Sequence, residues 1–244
     1  MMTRYSAWLD GLPLHEIDPT IYILDIQEDP AQVDVSTAPK AGGAGRFVVA
    51  RRRQTLSVTI LFAVREYDVT RRKAIMQEIV AWAKGGKYLS INDRPGQRLR
   101  VEVEELPTIQ SALRWTQELS ITITAYASPF WENDYTDSLT TSGTASMTVT
   151  GDADSAPVDV SVKPSGGTVT VKADKSTITL TDVSDNVEIT HGDEGILRML
   201  SNGVSILSHR TPDSSDDLTV TPGRVNDFSV TGGTATFRVR GVWA

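Results

Sequence analysis

Throughout its second half the chain repeats one pattern, a short stretch of alternating apolar and polar side chains followed by a turn rich in Gly, Pro, Asp or Asn. Successive side chains of a strand point to opposite faces, so this alternation requires strands with one buried face. The turns recur about every ten residues and no helical stripe interrupts them, which predicts an antiparallel β-sandwich of the jelly-roll or lectin-like kind. We expect its strands at 145–150, 158–163, 168–173, 176–181, 187–190, 195–200, 204–207, 218–220, 226–230 and 235–243.

The first half predicts a different β domain that contains one helix. Residues 56–64 alternate strictly and predict a long strand, which we pair in a hairpin with 46–53. A second alternation, at 113–123, predicts the longest strand of the chain. Residues 28–45 show no periodicity and are expected to be an exposed loop or arm. Residues 68–84 predict a helix that Gly85 and Gly86 end. Its apolar stripe is Ile75, Ile79 and Trp82, widened by Met76, Val80 and Ala83.

A change of composition divides the chain after Asn133. Residues 1–133 hold 16 Lys and Arg against 16 Asp and Glu, whereas residues 134–244 hold 8 against 15, so the net charge of -7 belongs to the second part. We predict a first domain at 1–133, a linker at 134–146 and a second domain at 147–244. The predicted class is mainly β, with an α+β first domain (an antiparallel sheet or sandwich with one helix) before the antiparallel sandwich.

Few residues of the sequence could act in catalysis or bind a metal. The chain has no cysteine, and its three histidines form no known zinc or catalytic motif, so we expect no enzyme, no cofactor and no metal site. His191 stands beside Asp193 and Glu194, but the flanking glycines favour a solvated hairpin tip over a metal or catalytic site. Asp152, Asp154 and Asp159 lack the spacing of an EF-hand loop, and calcium bound on a lectin-like loop is a weaker alternative to the absence of a metal site. No run of about 18 apolar residues and no secretory signal is visible, so we expect no membrane span and folding in a cytoplasm.

The chain has one run of three arginines, Arg51, Arg52 and Arg53. On a strand these residues would place arginines on both faces, which suits protection of a sheet edge or a salt-bridged contact between subunits better than a nucleic-acid groove. The acidic surplus of the chain also disfavours nucleic acid, whose phosphates require clustered Lys and Arg.

Five short phrases, taken in order, resemble the distal tail protein (Dit) family of phages that have long non-contractile tails and infect Gram-positive hosts. The last phrase follows an alternating strand and has Ser128 where the family usually has aspartate. The phrases are Trp8-Leu9-Asp10-Gly11, Ile23-Leu24-Asp25-Ile26, Trp82-Ala83-Lys84-Gly85-Gly86, Asp93-Arg94-Pro95-Gly96 and Ser128-Pro129-Phe130-Trp131. Their order and spacing carry the resemblance, which is close to about residue 132 and looser beyond.

The resemblance implies a structural protein of the virion, located at the tail tip and assembled in the cytoplasm of the host bacterium. The first domains would build a hexameric ring around a channel through which DNA passes without specific binding, and the second domain would be a galectin-like sandwich. Expected partners are the chain itself, the tail-tube protein, a tail-associated lysin or fibre hub protein, and a receptor-binding protein. Arg and aromatic residues are favoured in interfaces, so the candidate interface residues are Arg51, Arg52, Arg53, Phe130 and Trp131. The alternative function is a carbohydrate-binding module that contacts the host cell envelope.

Overall fold

A computed structural model of the chain describes residues 5–40, 44–106, 118–126, 128–192 and 195–244, without the side chains of Arg51 and Arg52. The chain divides into two compact units, Met1–Trp131 and Glu132–Ala244, which we call the first unit and the second unit. Among the described residues, no helix combines the length and the apolar character needed to cross a membrane.

The first unit contains most of the predicted helix and strands of the first half. A short 3-10 helix, Leu14–Glu16, lies between its second and third strands. The other elements, in chain order, are β1 (Ala7–Leu9), β2 (Leu12–Pro13), β3 (Ile21–Asp29), β4 (Val33–Pro39), β5 (Arg46–Arg53), β6 (Leu56–Val64), α1 (Val69–Gly85), β7 (Tyr88–Ile91), β8 (Gln97–Arg100), β9 (Glu102–Glu105) and β10 (Glu118–Ala125). A further strand, β11 (Trp131–Asn133), begins at the last residue of this unit.

Strand β6 holds the core of the first unit. It lies inside a four-stranded antiparallel sheet of order β3-β6-β10-β9, in which Ile60 pairs with Ile121. Val58, Ile60 and Phe62 are fully buried, as the strict alternation of this segment predicts. Strands β2, β1, β7 and β8 are neighbours in a second antiparallel sheet.

Helix α1 begins and ends where the sequence predicts. The Asp68 carboxylate accepts a hydrogen bond of 2.8 Å from the backbone N–H of Arg71 and so caps the first turn. Most of the predicted stripe is buried, but Trp82 is only half-buried. The buried apolar residues of the helix are Ile75, Met76, Ile79 and Ala83.

One prediction for the first unit is wrong and another is wrong in part. Residues 46–53 do form a strand, β5, but it pairs with β4. Residues 56–64 form β6, which pairs with β3 along one edge and with β10 along the other. The exposed loop or arm expected at 28–45 is exposed, but it is not irregular: it contains all of β4, which forms one side of a hairpin, and the last residues of β3. Of the predicted strand at 113–123, residues 118–123 lie in β10, and residues 113–117 fall outside the described part of the chain.

The second unit is a two-sheet antiparallel structure. Its strands are β12 (Asp137–Thr141), β13 (Thr144–Val149), β14 (Ala156–Pro164), β15 (Val169–Ala173), β16 (Ser176–Leu180), β17 (Val187–His191), β18 (Leu197–Ser201), β19 (Val204–Ser205), β20 (Thr219–Val220), β21 (Arg224–Thr231), β22 (Gly233–Val239) and β23 (Val242–Trp243), with a 3-10 helix at Leu207–His209. Each of the ten segments expected from the alternation overlaps a strand, and the last segment overlaps two, β22 and β23.

The two sheets enclose an apolar core. One has the order β12-β22-β14-β17-β18-β19, with β20 paired to β14, and the other has the order β13-β21-β15-β16. Phe228 of β21 and Phe237 of β22 are both fully buried, and their ring centroids lie 5.1 Å apart, so the sheets face each other. The linker predicted at 134–146 is wrong for most of its length, because β12 and the start of β13 pair with β22 and β21 and thus belong to this unit. The polar composition that suggested a linker reflects strands that bury few side chains.

Candidate assembly surface and polar clusters

Strands β4 and β5 pair with each other in a two-stranded sheet, and we call the described residues 33–40 and 44–53 the arm. Its register runs from Val33 opposite Arg53 to Pro39 opposite Arg46. Phe47 and Val48 are neighbours in β5 and both are more than half exposed, so neither face of the hairpin is covered. The large exposed apolar residues of the arm are Val33, Val35, Phe47, Val48 and Val49. An isolated two-stranded hairpin is at best marginally stable in water, and clustered exposed apolar residues mark an interaction surface.

The predicted arginine run lies where the arm joins the rest of the unit. Through their backbones, Arg51, Arg52 and Arg53 pair with the first three residues of β4. The guanidinium carbon of Arg53 lies 5.3 Å from the centre of the Phe130 ring, a cation–π contact. The structure therefore brings together two of the candidate interface residues, Arg53 and Phe130, at the base of the arm. The side chains of Arg51 and Arg52 lie outside the described part of the chain.

Trp131 lies in the core and has no exposed surface to offer a partner, so it does not fit the predicted interface. It is fully buried, and its indole N–H donates to the Glu28 carboxylate at 3.1 Å. Arg94 donates to the same carboxylate at 3.0 Å and holds its guanidinium 5.1 Å from the centre of the Trp131 ring. A buried indole needs such a partner. The three residues come from distant parts of the sequence, so no local signal could have joined them.

A second surface of the first unit is an apolar groove between α1 and the segment from β2 to the 3-10 helix, which we call the helix groove. Its volume is about 410 Å³. Trp82 forms one wall and donates its indole N–H to the backbone carbonyl of Leu12 at 2.8 Å. Sequence reasoning placed Trp82 in the buried stripe and so missed this groove. The groove is lined by Leu12, Pro13, Glu16, Ile17, Glu78, Ala81 and Trp82.

The second unit holds a buried histidine between two carboxylates. His191 is the last residue of β17 and its side chain is 8% exposed. Its ring donates from Nδ1 to Asp159 at 3.2 Å and from Nε2 to Asp217 at 2.6 Å. Burial opposes the charged form, but the hydrogen bonds to Asp159 and Asp217 and the charges of these residues outweigh it and raise the pKa of His191 to about 9. The hydrogen bond from His191 in turn lowers the pKa of Asp217.

The predicted hairpin is present, since His191 pairs with Leu197 of β18, but the expected solvation of His191 is wrong, because its side chain is buried. Its neighbours Asp193 and Glu194 fall outside the described residues. The two carboxylates that keep the ring protonated are Asp159 of β14 and Asp217 of the loop before β20. Both are distant in sequence, so the local sequence could not indicate them. A doubly donating imidazolium has no lone pair for a metal or for proton abstraction. Within the described ranges, no group of three or more acidic or histidine side chains is arranged to hold a metal ion.

Trp243 is the one tryptophan of the second half of the sequence. Its indole N–H donates to Asn133 at 2.9 Å, and the buried Asn133 donates in turn to Thr150 at 2.8 Å. The ring is half-buried and held by these bonds. A groove of about 360 Å³ on the sheet that contains β14 is lined by Ser161, Val162, Lys163, Asn186, Glu188, Thr234 and Thr236, none of which is aromatic.

The architecture defines a class: a mainly β chain of two units, in which the first carries one helix and an exposed hairpin and the second is an antiparallel two-sheet structure. No protein-family model and no curated protein matches the sequence. Among solved structures, the chain is similar to the Dit protein of phage SPP1, a paradigm of the hub adsorption apparatus in phages that infect Gram-positive bacteria. The match has a TM-score of 0.71 and covers 96% of this chain and 98% of that chain, at 9% sequence identity.

Two structures of the phage P2 baseplate in its activated conformation, with Ca and with Sr, also match. Each is 8% identical with a TM-score of 0.49; they cover 99% and 97% of this chain, and 98% and 97% of theirs. At such identities the likeness to the SPP1 protein establishes the fold. The chain has a Dit-like fold over almost its whole length, which confirms the predicted resemblance and the mainly β class.

Proposed function

We propose that the chain is a structural protein of a phage tail tip, which assembles with copies of itself into a hexameric ring. The observation that carries the proposal is the arm, whose two faces expose large apolar residues that nothing in the described part of the same chain covers. Such a surface is stable in water only when a partner buries it. A shared fold does not by itself assign a function, so the likeness to the hub protein of SPP1 supports the proposal and the arm carries it.

In this proposal the two units have different tasks. The first domain, residues 1–133, forms the ring, because it carries the arm and the Arg53–Phe130 contact at its base. The second domain, residues 147–244 together with β12 and β13, serves as an outer docking surface. The ring joins the tail-tube protein to a tail-associated lysin or fibre hub protein, and a receptor-binding protein attaches further out. The protein then resides at the tail tip of the virion after assembly in the host cytoplasm.

DNA passes through the channel of the ring without specific binding. The first part of the chain carries equal numbers of acidic and basic residues and the second a surplus of acids, so neither part has the overall positive charge that favours binding of phosphates. Catalysis is not part of the proposal. His191, the most strongly perturbed histidine, uses both ring nitrogens as donors and cannot act as a base in that state.

A carbohydrate-binding role for the second unit has less support. Protein sites for sugars commonly offer an exposed aromatic ring, but Trp243 is hydrogen-bonded to Asn133 and half-buried. Binding of cell-wall polysaccharide by the purified chain, with an affinity that Trp243→Ala abolishes, would favour this alternative.

The test is the mass and shape of the full chain in solution. Size-exclusion chromatography with light scattering is expected to give about 160 kDa, six times the chain mass of 26.6 kDa, and negative-stain images are expected to show a ring with a central hole. Val49→Ser should shift the population towards the single chain. Val204→Ser is the matched control, because Val204 of the second unit is 67% exposed, the same as Val49. A single chain at all concentrations, also when tail-tube protein is added, would refute the proposal.

A further inference from the structure

We infer that the arm of one copy docks in the helix groove of the next copy, so that the ring contact is head-to-tail. The inference rests on the proposed function and names the two surfaces that mate. Both belong to the first unit, and both are open in the single chain: Phe47 on the arm and Leu12 on the groove are each more than half exposed. Neither surface is therefore covered by the other within one copy.

The two surfaces match in polarity. The arm exposes an aromatic ring, Phe47, and the aliphatic Val48 and Val49, with Phe47 and Val48 on opposite faces. Five of the seven residues that line the helix groove are apolar, and its volume of about 410 Å³ accommodates an aromatic side chain. Aromatic residues that fill apolar pockets are the usual energetic centres of protein interfaces. Two further grooves in the described part of the chain, both on the second unit, are lined mainly by Ser, Thr, Lys and Gly and are less apolar.

The two surfaces also match in charge. The arm carries five basic residues and one acidic residue, a net charge of +4. One basic group lies at the aromatic ring: the ammonium group of Lys40 is 5.2 Å from the centre of Phe47. Arg46, the residue before Phe47 in β5, adds a second positive charge at the same end of the arm. The groove contains two exposed carboxylates, Glu16 and Glu78, and no basic residue. Complementary charge of this kind orients an encounter and suppresses wrong partners. The second-unit grooves both include Lys163, balanced by Glu188 in one and by no acidic residue in the other, so neither offers the arm a net negative charge.

The contact must be head-to-tail because its two sides are different patches of one unit. A two-fold contact would place the same patch on both sides, arm on arm or groove on groove. Arm on arm would bring charges of +4 together, and groove on groove would bring four carboxylates together. A repeated arm-to-groove contact propagates from copy to copy and closes when the rotation per copy divides a full turn, as a ring requires.

Cysteine pairs test the contact directly, because the chain has no cysteine of its own. Full-length Phe47→Cys and Ala81→Cys variants are prepared, mixed and oxidised. The mixture is expected to give disulfide-linked dimers, and the chain that carries both substitutions is expected to give a reducible ladder of up to six copies. Phe47→Cys mixed with Val204→Cys is the matched control and is expected to link at least about 10-fold less, since Val204 is an equally open site on the other unit.

Charge reversal provides a second, independent readout. Glu78→Lys is expected to raise the concentration at which half of the rings dissociate by about 10-fold, and Arg46→Glu in the same chain is expected to restore most of the loss. A merely structural role of Glu78 would not be rescued by a change on the arm. Higher salt should weaken the wild-type ring, since exposed charges are screened.

The outcomes separate the inference from the proposed function. Rings without a link between positions 47 and 81, or without rescue by Arg46→Glu, would overturn the inference and leave the ring proposal standing. Self-linking of Phe47→Cys alone would also overturn it, since that result indicates a two-fold contact of arms. Absence of rings together with absence of links, at every concentration and with tail-tube protein present, would refute both.

Discussion

The buried ion cluster of the second unit predicts that its stability falls as pH rises. His191 has a pKa of about 9 in the folded chain, against about 6.5 for an unperturbed histidine. A group whose pKa is raised on folding contributes its full stability below the unfolded value, and that contribution is lost as pH rises through the folded value. The window of loss is therefore from about pH 6.5 to above pH 9. At the acidic end, the contribution persists until the carboxylate partners protonate.

The magnitude follows from the shift and from the exposure of the partners. A rise of about 2.5 pKa units corresponds to a ceiling of about 3 kcal/mol. The ring is buried, but Asp159 and Asp217 are 43% and 54% exposed, so water screens part of each interaction. We expect the free energy of unfolding to fall by about 1–2 kcal/mol between pH 6.5 and pH 10, which lowers the melting temperature of a unit of this size by roughly 5–10 °C.

The assay is calorimetry of the full chain and of a His191→Gln variant across this pH range, and the quantity compared is the difference between the two. In the His191→Gln variant, the free energy of unfolding should no longer vary with pH through the His191 cluster. The contribution of every other titrating group should be unchanged. His209→Gln is the matched control, because the ring of His209 in the same unit bonds the neutral backbone carbonyl of Thr181 at 2.8 Å. An NMR titration of the His191 ring should give a midpoint near 9. A midpoint below 7, or equal pH dependence in wild type and His191→Gln, would refute the reasoning.

Three further substitutions probe the contacts that build the two units, each measured as a change in melting temperature or in the free energy of unfolding. Trp131→Phe keeps most of the buried ring but removes its hydrogen bond to Glu28, and is expected to cost about 1–2 kcal/mol; no loss would show that water replaces the bond. Asp68→Ala removes the cap of α1 and should cost about 1 kcal/mol, whereas Asp68→Asn should retain most of it. Gly151→Ala should cost at least about 2 kcal/mol, because its φ is +123° and an added Cβ would lie 2.1 Å from the carbonyl oxygen of Val242; wild-type stability would contradict this account.

The strands and the helix could be predicted wherever one face of an element is buried. The alternation in β6 and the stripe of α1 arise because burial repeats with the period of each element, and such a pattern can be read from the sequence alone. Strands β4 and β12 were missed for the converse reason. Neither strand has a buried side chain, so its sequence shows no alternation of apolar and polar residues from which a strand could be predicted.

The polar clusters and the groove could not be predicted, because each joins residues that are distant in sequence. His191 meets its two carboxylates across gaps of 32 and 26 residues, and Trp131 meets Glu28 across 103. Such contacts depend on which strands become neighbours, which the local pattern does not specify. Arg53 and Phe130 were both predicted as interface candidates, but the contact between them was not predicted. The pairing of β5 with β4, which positions Arg53, was not predicted either.

The likeness to the SPP1 Dit protein at 9% identity limits what can be transferred from one chain to the other. The two chains share a fold over 96% of this chain, with a TM-score of 0.71, while only 9% of the positions keep the same residue. A fold survives such divergence because it depends on pattern and volume. An interface depends on particular side chains and must be established for each chain. The arm and the helix groove therefore have to be tested with this chain's own Phe47, Ala81 and Glu78, whatever contacts hold its structural neighbours together.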